Sequence, residues 1–395
     1  MWEPNAPRRA TPPLLRRMNE RSVLDTIRAG APISRAEISR RAGISKPTVS
    51  LALQSLLDAG LVREADHEPG GPSYGAVYFE PVSEAALVLG LDLGARFLRG
   101  ALCDLEGRTR ARQDVQLDGA NADAALAAIA DLRDSLVDAA GLDGTLIDAA
   151  VVGVPGVVES GTGRLSLAAN VPGLEERPFA EELRHRLGLP ATLENDVNLA
   201  ALGEQWRGVA QGVGDFVFLS IGTGMGAGLV LGGELHRGHN GAAGEVDYAL
   251  VGLEHDLDPS ADGVAPLAAR LAADGSRPTA LMPPYDARVV FAAARSGDSL
   301  AGAVVEEVAR RIALHVAPIA SVVDVALVVL GGGLGANGDL LLEPVRELLG
   351  RWMPYPPRVE VSSLGEAAVL SGALAVGLRS ALDNVFLNRA GAVPV

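Results

Sequence analysis

Two amino acids are almost absent from this sequence of 395 residues, and each absence excludes a kind of chemistry. Cys103 is the only cysteine, so an internal disulfide and a cysteine-cluster zinc site are both excluded, and Cys103 is most simply a small buried residue. Lys46 is the only lysine, which removes lysine nucleophiles and lysine phosphate clamps from the large C-terminal part. Any phosphate bound there must be held by backbone N–H groups, by arginine or by a metal ion.

Long hydrophobic runs are also missing. The first ten residues, MWEPNAPRRA, lack the apolar core of a secretory signal, and no stretch approaches the roughly 18 uninterrupted apolar residues that span a bilayer. A single cysteine fits a reducing compartment. The sequence therefore predicts a soluble, cytoplasmic protein without a membrane partner.

Positive charge is scarce outside the N-terminal end. Residues 1–63 carry 11 basic and 5 acidic side chains, whereas the rest of the chain carries 23 basic and 44 acidic ones. A phosphate backbone is attracted by the first segment and repelled by the second, so nucleic acid is expected to meet only the N-terminal end. The length of the chain predicts two or three domains.

A helix-turn-helix pattern lies within this positive segment. Ser34 and Glu37 form a capping box at the start of a short helix, and Gly43 suits the left-handed turn that ends it. Ser45 caps a second helix that carries Pro47 in its first turn and is expected to end near residue 60. The buried stripe of this second helix consists of Val49, Leu53, Leu56 and Leu57.

The exposed face of the second helix is suited to entering a major groove and reading base edges. The candidate DNA-contacting residues are Arg40, Ser45, Lys46, Thr48, Ser50 and Gln54. An ordinary three-helix bundle with a solvated polar face would show the same spacing. The concentration of positive charge favours DNA binding over that alternative.

The N-terminal module is predicted to span residues 1–80 as a winged helix-turn-helix. Its first helix is capped by Thr11 and ends at Gly30, with apolar contacts from Leu14, Leu15, Met18, Val23, Leu24 and Ile27. The wing is predicted as strands at 61–62 and 76–79 around the turn Pro69-Gly70-Gly71-Pro72. Because the tip carries Glu64, Asp66 and Glu68, it is expected to add little affinity for DNA.

Beyond Pro81 the composition changes to alternating strands and alanine-rich helices, which predicts an α/β architecture with two sheet-bearing lobes. The predicted strands are 87–93, 97–104, 149–154, 191–193, 216–221, 228–231 and 325–330. The predicted helices are about 122–140, 178–187, 196–209, 285–296, 298–322 and 365–380. The segments LGLDLGARFLRGALCDLEG and FLSIGTGMGAGLVLGGEL each fit a strand, a glycine turn and a returning strand, which indicates either a duplicated lobe or a coincidence.

A glycine-rich loop, IGTGMGAG at residues 221–228, separates two of these strands. Glycines at alternate positions let backbone N–H groups approach an oxyanion, although a tight hairpin would need the same residues. The segment from Gly331 to Ala336 fits a dinucleotide fingerprint only weakly, since no convincing unit of strand, helix and strand follows it.

A polar cluster, Glu194-Asn195-Asp196, stands between a predicted strand and a helix, which is where open α/β sheets bind ligands. Asp196 either acts as a general base on a hydroxyl or caps the helix. Asn170 and Glu245 lie among glycine and proline and either converge on a sugar or serve as turn residues.

Taken together, these motifs resemble the ROK family of repressors and sugar kinases, and the resemblance covers nearly the whole chain. The N-terminal match is ISRAEISRRAGISKPTVS. The later matches, in the family's order, are LGLDLGARFLRGALCDLEG, VVGVPGVVE, LENDVNLAALGE, SIGTGMGAGLVLGGELHRGHNGAAGEVDY and VVLGGGLGANGDLL.

The resemblance implies an actin-like (ribonuclease H-like), two-lobed ATPase fold behind the winged helix-turn-helix, with a sugar cleft between the lobes. The first lobe is expected at residues 84–196, completed by a C-terminal helix at about 380–395, and the second at 197–379. The resemblance also implies a homodimer or homotetramer. In the cleft it assigns sugar contacts to Asn170, Asn195, Asp196 and Glu245, and a second phosphate loop to Gly222, Thr223 and Gly224.

The chain departs from the kinase members at two places. Gly94-Ala95-Arg96 replaces their first phosphate loop without its hydroxyl and lysine, so the second loop and Asp196 are expected to be relics and no nucleotide cofactor is predicted. Tyr248 replaces a histidine that touches sugar and zinc in many members, and the cysteine-rich segment is absent. No metal site is therefore predicted, and Tyr248 is a candidate sugar contact.

The leading hypothesis is a non-enzymatic, sugar-responsive transcriptional repressor of carbohydrate-metabolism genes. Its paired modules would bind a two-fold site in double-stranded DNA with half-sites roughly 34 Å apart or a multiple of that. The alternative is an ATP-dependent sugar kinase with a fused DNA-binding module. A third hypothesis is a constitutive DNA-binding protein whose cleft is a relic.

Overall fold

A computed structural model describes residues 12–65, 76–117, 119, 121–168, 170–175, 177–249, 257–273 and 275–388. The N-terminal module consists of α1 (Pro12–Gly30), β1 (Ile33–Ser34), α2 (Arg35–Ala42), α3 (Lys46–Asp58), β2 (Val62–Glu64) and β3 (Tyr78–Pro81). Its three strands form an antiparallel sheet in the order β1-β3-β2. The predicted wing turn at 69–72, with Asp66 and Glu68, lies outside the described residues, as does Thr11.

Local capping chemistry explains where α2 and α3 begin and end. Ser34 accepts a hydrogen bond from the Glu37 N–H at 3.3 Å, and Gly43 ends α2 in the left-handed conformation. Ser45 caps α3 by accepting from the Thr48 N–H at 3.4 Å. The capping box also predicts that the Glu37 side chain accepts a hydrogen bond from the Ser34 N–H. That prediction is wrong, because the Glu37 carboxylate pairs with Arg40 and Arg41 instead.

The module's core differs from the predicted one on α1. Val23, Leu24 and Ile27 are fully buried, as expected, but Leu15 and Met18 are 47% and 58% exposed. On α3 the buried residues are Val49, Ala52, Leu53 and Leu56, and Leu57 is only partly buried.

The first large sheet is formed by β4 (Leu87–Leu93), β5 (Phe97–Asp104), β6 (Thr109–Gln116), β7 (Ile147–Val154) and β10 (Ala191–Asn195), in the order β10-β7-β4-β5-β6. Its accompanying elements are α4 (Ala122–Ala140), the small hairpin β8 (Val157–Val158) and β9 (Leu165–Ser166), and α5 (Phe179–Leu187). The sheet's hairpin is antiparallel, and β4, β7 and β10 are parallel.

The second large sheet repeats this topology. It contains β11 (Phe216–Ile221), β12 (Met225–Leu231), β13 (Glu234–Leu235), β14 (Leu327–Gly331) and β15 (Arg358–Val361), in the order β13-β12-β11-β14-β15. Its helices are α7 (Ala261–Ala272), α8 (Ala287–Arg295), α9 (Ser299–Val323), α10 (Gly332–Gly335) and α11 (Gly338–Trp352). In each sheet three antiparallel strands are extended by two parallel strands. Of the two explanations for the similar glycine segments, duplication and coincidence, this repeated topology favours a duplicated lobe.

Two helices, α6 (Asp196–Arg207) and α12 (Ala368–Asn388), pack tightly against each other between the sheets. A Cβ added at Gly372 would lie 1.8 Å from the Leu199 carbonyl oxygen, and one at Gly203 would lie 2.2 Å from the Ala368 carbonyl oxygen. Glycine is therefore required where the two backbones meet. Helix α12 also packs against β4 and β7 of the first sheet, while α6 contacts β11 and β12 of the second.

The helices predicted separately at about 365–380 and at about 380–395 form one continuous helix, α12. This helix begins at Ala368, so the start predicted at about 380 is wrong by about three turns. By length and composition the window Gly365–Leu382 could cross a membrane, but half of that window is buried inside the protein. A core helix between two sheets meets the same criteria.

The N-terminal module shares a hydrophobic core with the first large sheet. One cluster of buried side chains includes Ile27 and Phe79 of the module, Val88 and Cys103 of the sheet, and Leu378 of α12. Cys103 is fully buried there, as predicted. The module is thus packed against the two-sheet remainder of the chain, called the body below, and is not joined to it only by a linker.

Candidate ligand pocket and DNA-binding surface

A cavity of about 350 Å³ brings together every candidate ligand and phosphate-loop residue named from the sequence. These residues are Asn170, Asn195, Asp196, Gly222, Thr223, Gly224, Glu245 and Tyr248. They come from the loop between β9 and α5, the end of β10, the start of α6, the β11–β12 loop, and the 3-10 turn Val246–Tyr248 with the residue before it. The volume lies within the roughly 300–1,000 Å³ that is usual for small-molecule sites.

The start of α6 is held by its own side chains. Asn195 caps the helix by accepting from the Asn198 N–H at 2.9 Å, and its Nδ2 donates to the Gly156 carbonyl at 2.9 Å. Asp196 accepts from the Val197 N–H at 2.8 Å through one carboxylate oxygen. Both ends of the Asn195 side chain are therefore engaged within the protein, whereas Asp196 keeps a second oxygen for the cavity.

The pKa of Asp196 is raised to about 7, mainly by burial and then by the negative charges of Asp92 and Glu245. Burial also raises the pKa of Asp92 to about 6, against the opposing effect of Arg99. A carboxyl group with a pKa near neutrality either accepts a hydrogen bond from a ligand hydroxyl or donates one to it.

An ion pair between a buried carboxylate and a partly exposed arginine next to the pocket was not anticipated from the sequence. Glu194 is buried and pairs with Arg237 at 2.6 Å, and it accepts from Asn198 Nδ2 at 3.0 Å. The Asn198 side chain lines the pocket, and its Oδ1 is buried without a hydrogen-bond partner. The partners lie more than 40 residues apart in sequence, so no local pattern could have identified the pair.

The 3-10 turn Val246–Tyr248 carries a pocket residue that was not selected from the sequence. Asp247 lines the pocket, and its Oδ2 accepts from the Met225 N–H at 3.3 Å. Tyr248 beside it is 61% exposed, at the rim of the cavity. The signal for Asp247 in the sequence was an acidic residue directly before the candidate sugar contact Tyr248.

The structure gives no support for a metal centre in the part of the chain that it describes. Within those residues no group of three or more His, Cys, Asp or Glu side chains is placed to hold a metal ion. Cys103 lies in the core of the first sheet, and His315 is buried with its Nδ1 at 2.9 Å from the Arg311 carbonyl oxygen. The described residues do not fit the zinc that many ROK members hold.

The loop after β4, Gly94-Ala95-Arg96, which replaces the first phosphate loop of the kinases, does not line the cavity. Gly94 donates its N–H to the Phe97 carbonyl at 2.9 Å, which closes a tight turn, and no residue of 94–96 lines the pocket. Asp92 at the end of β4 pairs with Arg99 at 3.2 Å. Arg99 also lies 3.3 Å from Glu366 and 3.7 Å from Asp114, so its charge is already shared among three carboxylates.

The candidate DNA-contacting residues all lie on α2, on α3 or at the start of α3. Lys46 is exposed, whereas Arg40 pairs with Glu37 and Gln54 donates to Asp58 at 2.8 Å. Ser50 donates to the Lys46 carbonyl at 3.0 Å. The remaining two, Ser45 and Thr48, bond to each other through their hydroxyl groups at 2.8 Å.

An exposed apolar residue on the same helix was missed. Leu51 is 74% exposed, and it lies with Pro47 and Gln54 on the outer face of α3, opposite the buried stripe. An apolar side chain on a groove-facing surface is suited to contact with a thymine methyl group. The sequence already indicated this position, because Leu51 is two residues from both Val49 and Leu53 and so lies on the opposite side of the helix from them.

A second cavity, of about 340 Å³, lies where the module meets the body. It is lined by Arg21 and Arg28 of α1, by Gln205 and Trp206 of α6, and by residues of α12 that include Leu382. Helix α6 thus reaches from the ligand pocket at its first residue to this junction at its last turn.

Comparison with known proteins relates both parts of the chain to described families. The ROK family model matches residues 88–379, and the MarR family model matches residues 16–71. A putative xylose repressor of Caldicellulosiruptor sp. (strain Rt8B.4) is 28% identical over 387 residues, which cover 92% of this chain and 96% of that protein. A glucokinase of Streptomyces coelicolor is 30% identical over 73% of this chain and 96% of its own length.

A solved structure has the same architecture over almost the whole chain. It is a ROK family transcriptional regulator described as a homologue of the E. coli MLC protein, with a TM-score of 0.79. The match covers 95% of this chain and 99% of the other at 22% identity. At that identity the likeness concerns the fold.

Proposed function

The chain belongs to the ROK family, and we propose that it is a DNA-binding transcriptional repressor of sugar-metabolism genes whose DNA binding is controlled by a sugar in the cleft. The observation that carries this proposal is the shared core between a winged helix and a lobe that bears a polar pocket. The likeness to xylose repressors over nearly the full length supports it.

The pocket is suited to a ligand rich in hydroxyl groups. Asp196 and Glu245 offer carboxylate oxygens, and Asn170 offers both a donor and acceptors. Tyr248 at the rim adds a ring and a phenolic group against which a sugar can lie. In this proposal Asn195 positions the start of α6 rather than contacting the sugar through a free amide.

Helix α6 provides the route from the sugar to the DNA-binding module. Its 12 residues extend roughly 18 Å at 1.5 Å per residue, from Asp196 at the pocket to Arg207 at the junction. Trp206 packs against the cluster that contains the module's core. A sugar that binds one arrangement of α6 better than another would thereby shift the positions of the two N-terminal modules of a dimer relative to each other.

We further propose that the protein acts without catalysis. The first loop offers neither hydroxyl nor lysine for phosphate, and Arg99, which lies near it on β5, is paired with Asp92. The kinase alternative draws on the pKa of Asp196 near 7, on the Gly222–Gly224 loop and on the glucokinase relatives. Incubation with labelled ATP and a panel of hexoses decides between them, because a kinase would form a sugar phosphate that Asp196→Asn abolishes.

The proposal includes a homodimer or homotetramer in the cytoplasm that binds a two-fold operator. Two copies of the module would contact half-sites one helical turn of DNA, roughly 34 Å, apart or a multiple of it. Footprinting on DNA upstream of the neighbouring genes tests this directly. Protection of a two-fold site supports the proposal, and the absence of any protected site contradicts it.

A further inference from the structure

Two features of the pocket would normally attract an anion. One is the start of α6, where backbone N–H groups point out of the helix end. The other is the glycine loop between β11 and β12, whose backbone can approach a phosphate closely. Whether these N–H groups are available decides whether the ligand can carry a phosphate.

The N–H groups at the start of α6 are already bonded to oxygen atoms of the protein. The Val197 N–H donates to Asp196 Oδ1 at 2.8 Å, and the Asn198 N–H donates to Asn195 Oδ1 at 2.9 Å. An incoming phosphate would have to displace these side chains, one of which is itself an anion.

Two N–H groups of the glycine loop are bonded in the same way. The Gly222 N–H donates to the Gly224 carbonyl at 2.9 Å, and the Met225 N–H donates to Asp247 Oδ2 at 3.3 Å. A Cβ built on Gly224 would lie 3.7 Å from the same Asp247 oxygen, which shows how closely this carboxylate approaches the loop. An anion of the protein thus already stands at the loop.

The charges around the cavity have one sign. Its described lining includes three carboxylates, Asp196, Glu245 and Asp247, and none of the described lining residues is basic. Two arginines on the neighbouring elements are paired elsewhere, Arg99 with Asp92 and Glu366, and Arg237 with Glu194. In a cavity of about 350 Å³ a phosphate would lie within a few ångströms of a carboxylate, well inside the screening length of roughly 8 Å.

We infer that Asp247 takes the place of a ligand phosphate at the glycine loop, so that the pocket selects a free sugar over the phosphate ester of the same sugar. This inference rests on the proposed function, in which the pocket binds a sugar. It names Asp247 as the residue that determines the class of effector. An amino sugar fits the same rule, because its positive charge suits three carboxylates.

The ionisation of the acidic groups agrees with this crowding of negative charge. Burial raises the pKa of Glu245, with a smaller contribution from Asp247. Burial likewise raises the pKa of Asp247, against the opposing effect of the hydrogen bond from the Met225 N–H. A further anion in the cavity would oppose the charged form of both groups.

The test compares free sugars with sugar phosphates. The two matched pairs are D-glucose with its 6-phosphate and N-acetyl-D-glucosamine with its 6-phosphate. Thermal shift and titration calorimetry on the full chain would use D-xylose, D-glucose, D-glucose 6-phosphate, D-glucosamine, N-acetyl-D-glucosamine and N-acetyl-D-glucosamine 6-phosphate. We expect a free sugar to bind at least tenfold more tightly than its phosphate. In Asp247→Asn, which keeps the shape and removes the charge, this ratio should fall several-fold.

Asp131→Asn is the matched control, because it removes one carboxylate from an exposed position on α4, outside the pocket lining. It should leave the ratio unchanged. A phosphate ester that binds the wild-type chain as tightly as its free sugar would overturn the inference and leave the proposed repressor intact. A ratio unaltered in Asp247→Asn would remove the role of Asp247. If no sugar of either class binds or alters DNA binding, the proposed function fails and the inference falls with it.

Discussion

Glu204 accepts a hydrogen bond at 2.5 Å from the hydroxyl of Ser362, a residue 158 positions later in the chain. Glu204 is fully buried near the end of α6, and Ser362 follows the last parallel strand of the second sheet. The same carboxylate also accepts from the Val209 and Leu364 N–H groups. One side chain therefore ties α6 to the segment that leads into α12.

Replacing this carboxylate should destabilise the whole body. Glu204→Ala leaves the partly buried Ser362 hydroxyl and Val209 N–H without their acceptor, so we expect a loss of about 2 to 4 kcal/mol in the free energy of unfolding. Urea denaturation measures it. Glu347→Ala, at an exposed position on α11, is the matched control and should change stability by less than about 0.5 kcal/mol.

Asp196 should make stability depend on pH in a defined direction. Its pKa is about 7 in the folded protein against 3.8 ordinarily, so between these values the folded state holds a proton that the unfolded state has released. The stability contributed by Asp196 is thus full below about pH 4 and is lost as the pH rises through 7. We expect Asp196→Asn, which mimics the neutral acid, to melt several degrees above the wild type at pH 8 and close to it at pH 4. Equal melting temperatures at pH 8 would contradict this.

Lys46 should contribute to DNA affinity mainly through its charge. If it contacts a phosphate, Lys46→Ala will weaken binding and will lower the slope of log affinity against log salt by about one. Lys46→Arg should retain most of the slope. The measurement is fluorescence anisotropy on an operator fragment at several salt concentrations. An alanine variant with the affinity and slope of the wild type would show that Lys46 does not face the duplex.

Trp206 should matter for communication rather than for either binding event alone. It lies at the last turn of α6 and packs against the core shared with the module. We expect Trp206→Ala to bind sugar and DNA separately but to lose most of the change in DNA affinity that sugar produces. Such couplings are usually worth about 1 to 3 kcal/mol. Trp352→Ala, on the partly exposed end of α11, is the control and should keep the full coupling.

Much of the fold follows from local chemistry, which explains why it could be predicted. The caps at Ser34 and Ser45 and the left-handed Gly43 are set by residues a few positions apart. The strands at 87–93 and 97–104 agree with β4 and β5, because a buried strand reads as a continuous apolar run. The elements that were not predicted lack such a signal. Strand β6 is a charged edge strand without an apolar run, and helices α7 and α11 contain the helix-breaking residues Pro266 and Pro344.

For the candidate pocket, the sequence predicted which residues could line it but not the contacts that hold them in place. Asn195 and Asp196 were identifiable because they end a strand and begin a helix. Three contacts around the pocket and α6 depend on tertiary packing: Asp247 with Met225, Glu194 with Arg237, and Glu204 with Ser362. Such contacts join distant parts of the chain, so no window of sequence contains them.

In the proposed function, the positively charged N-terminal module binds DNA under the control of a sugar held by the acidic remainder of the chain. The most direct test is the DNA affinity of the full chain on its footprinted operator, measured with and without the sugar that raises its melting temperature most. We predict a salt-sensitive affinity that this sugar changes at least fivefold, with no sugar phosphate formed in the presence of ATP. An affinity that the sugar leaves unchanged, or turnover of ATP into a sugar phosphate, would contradict the claim.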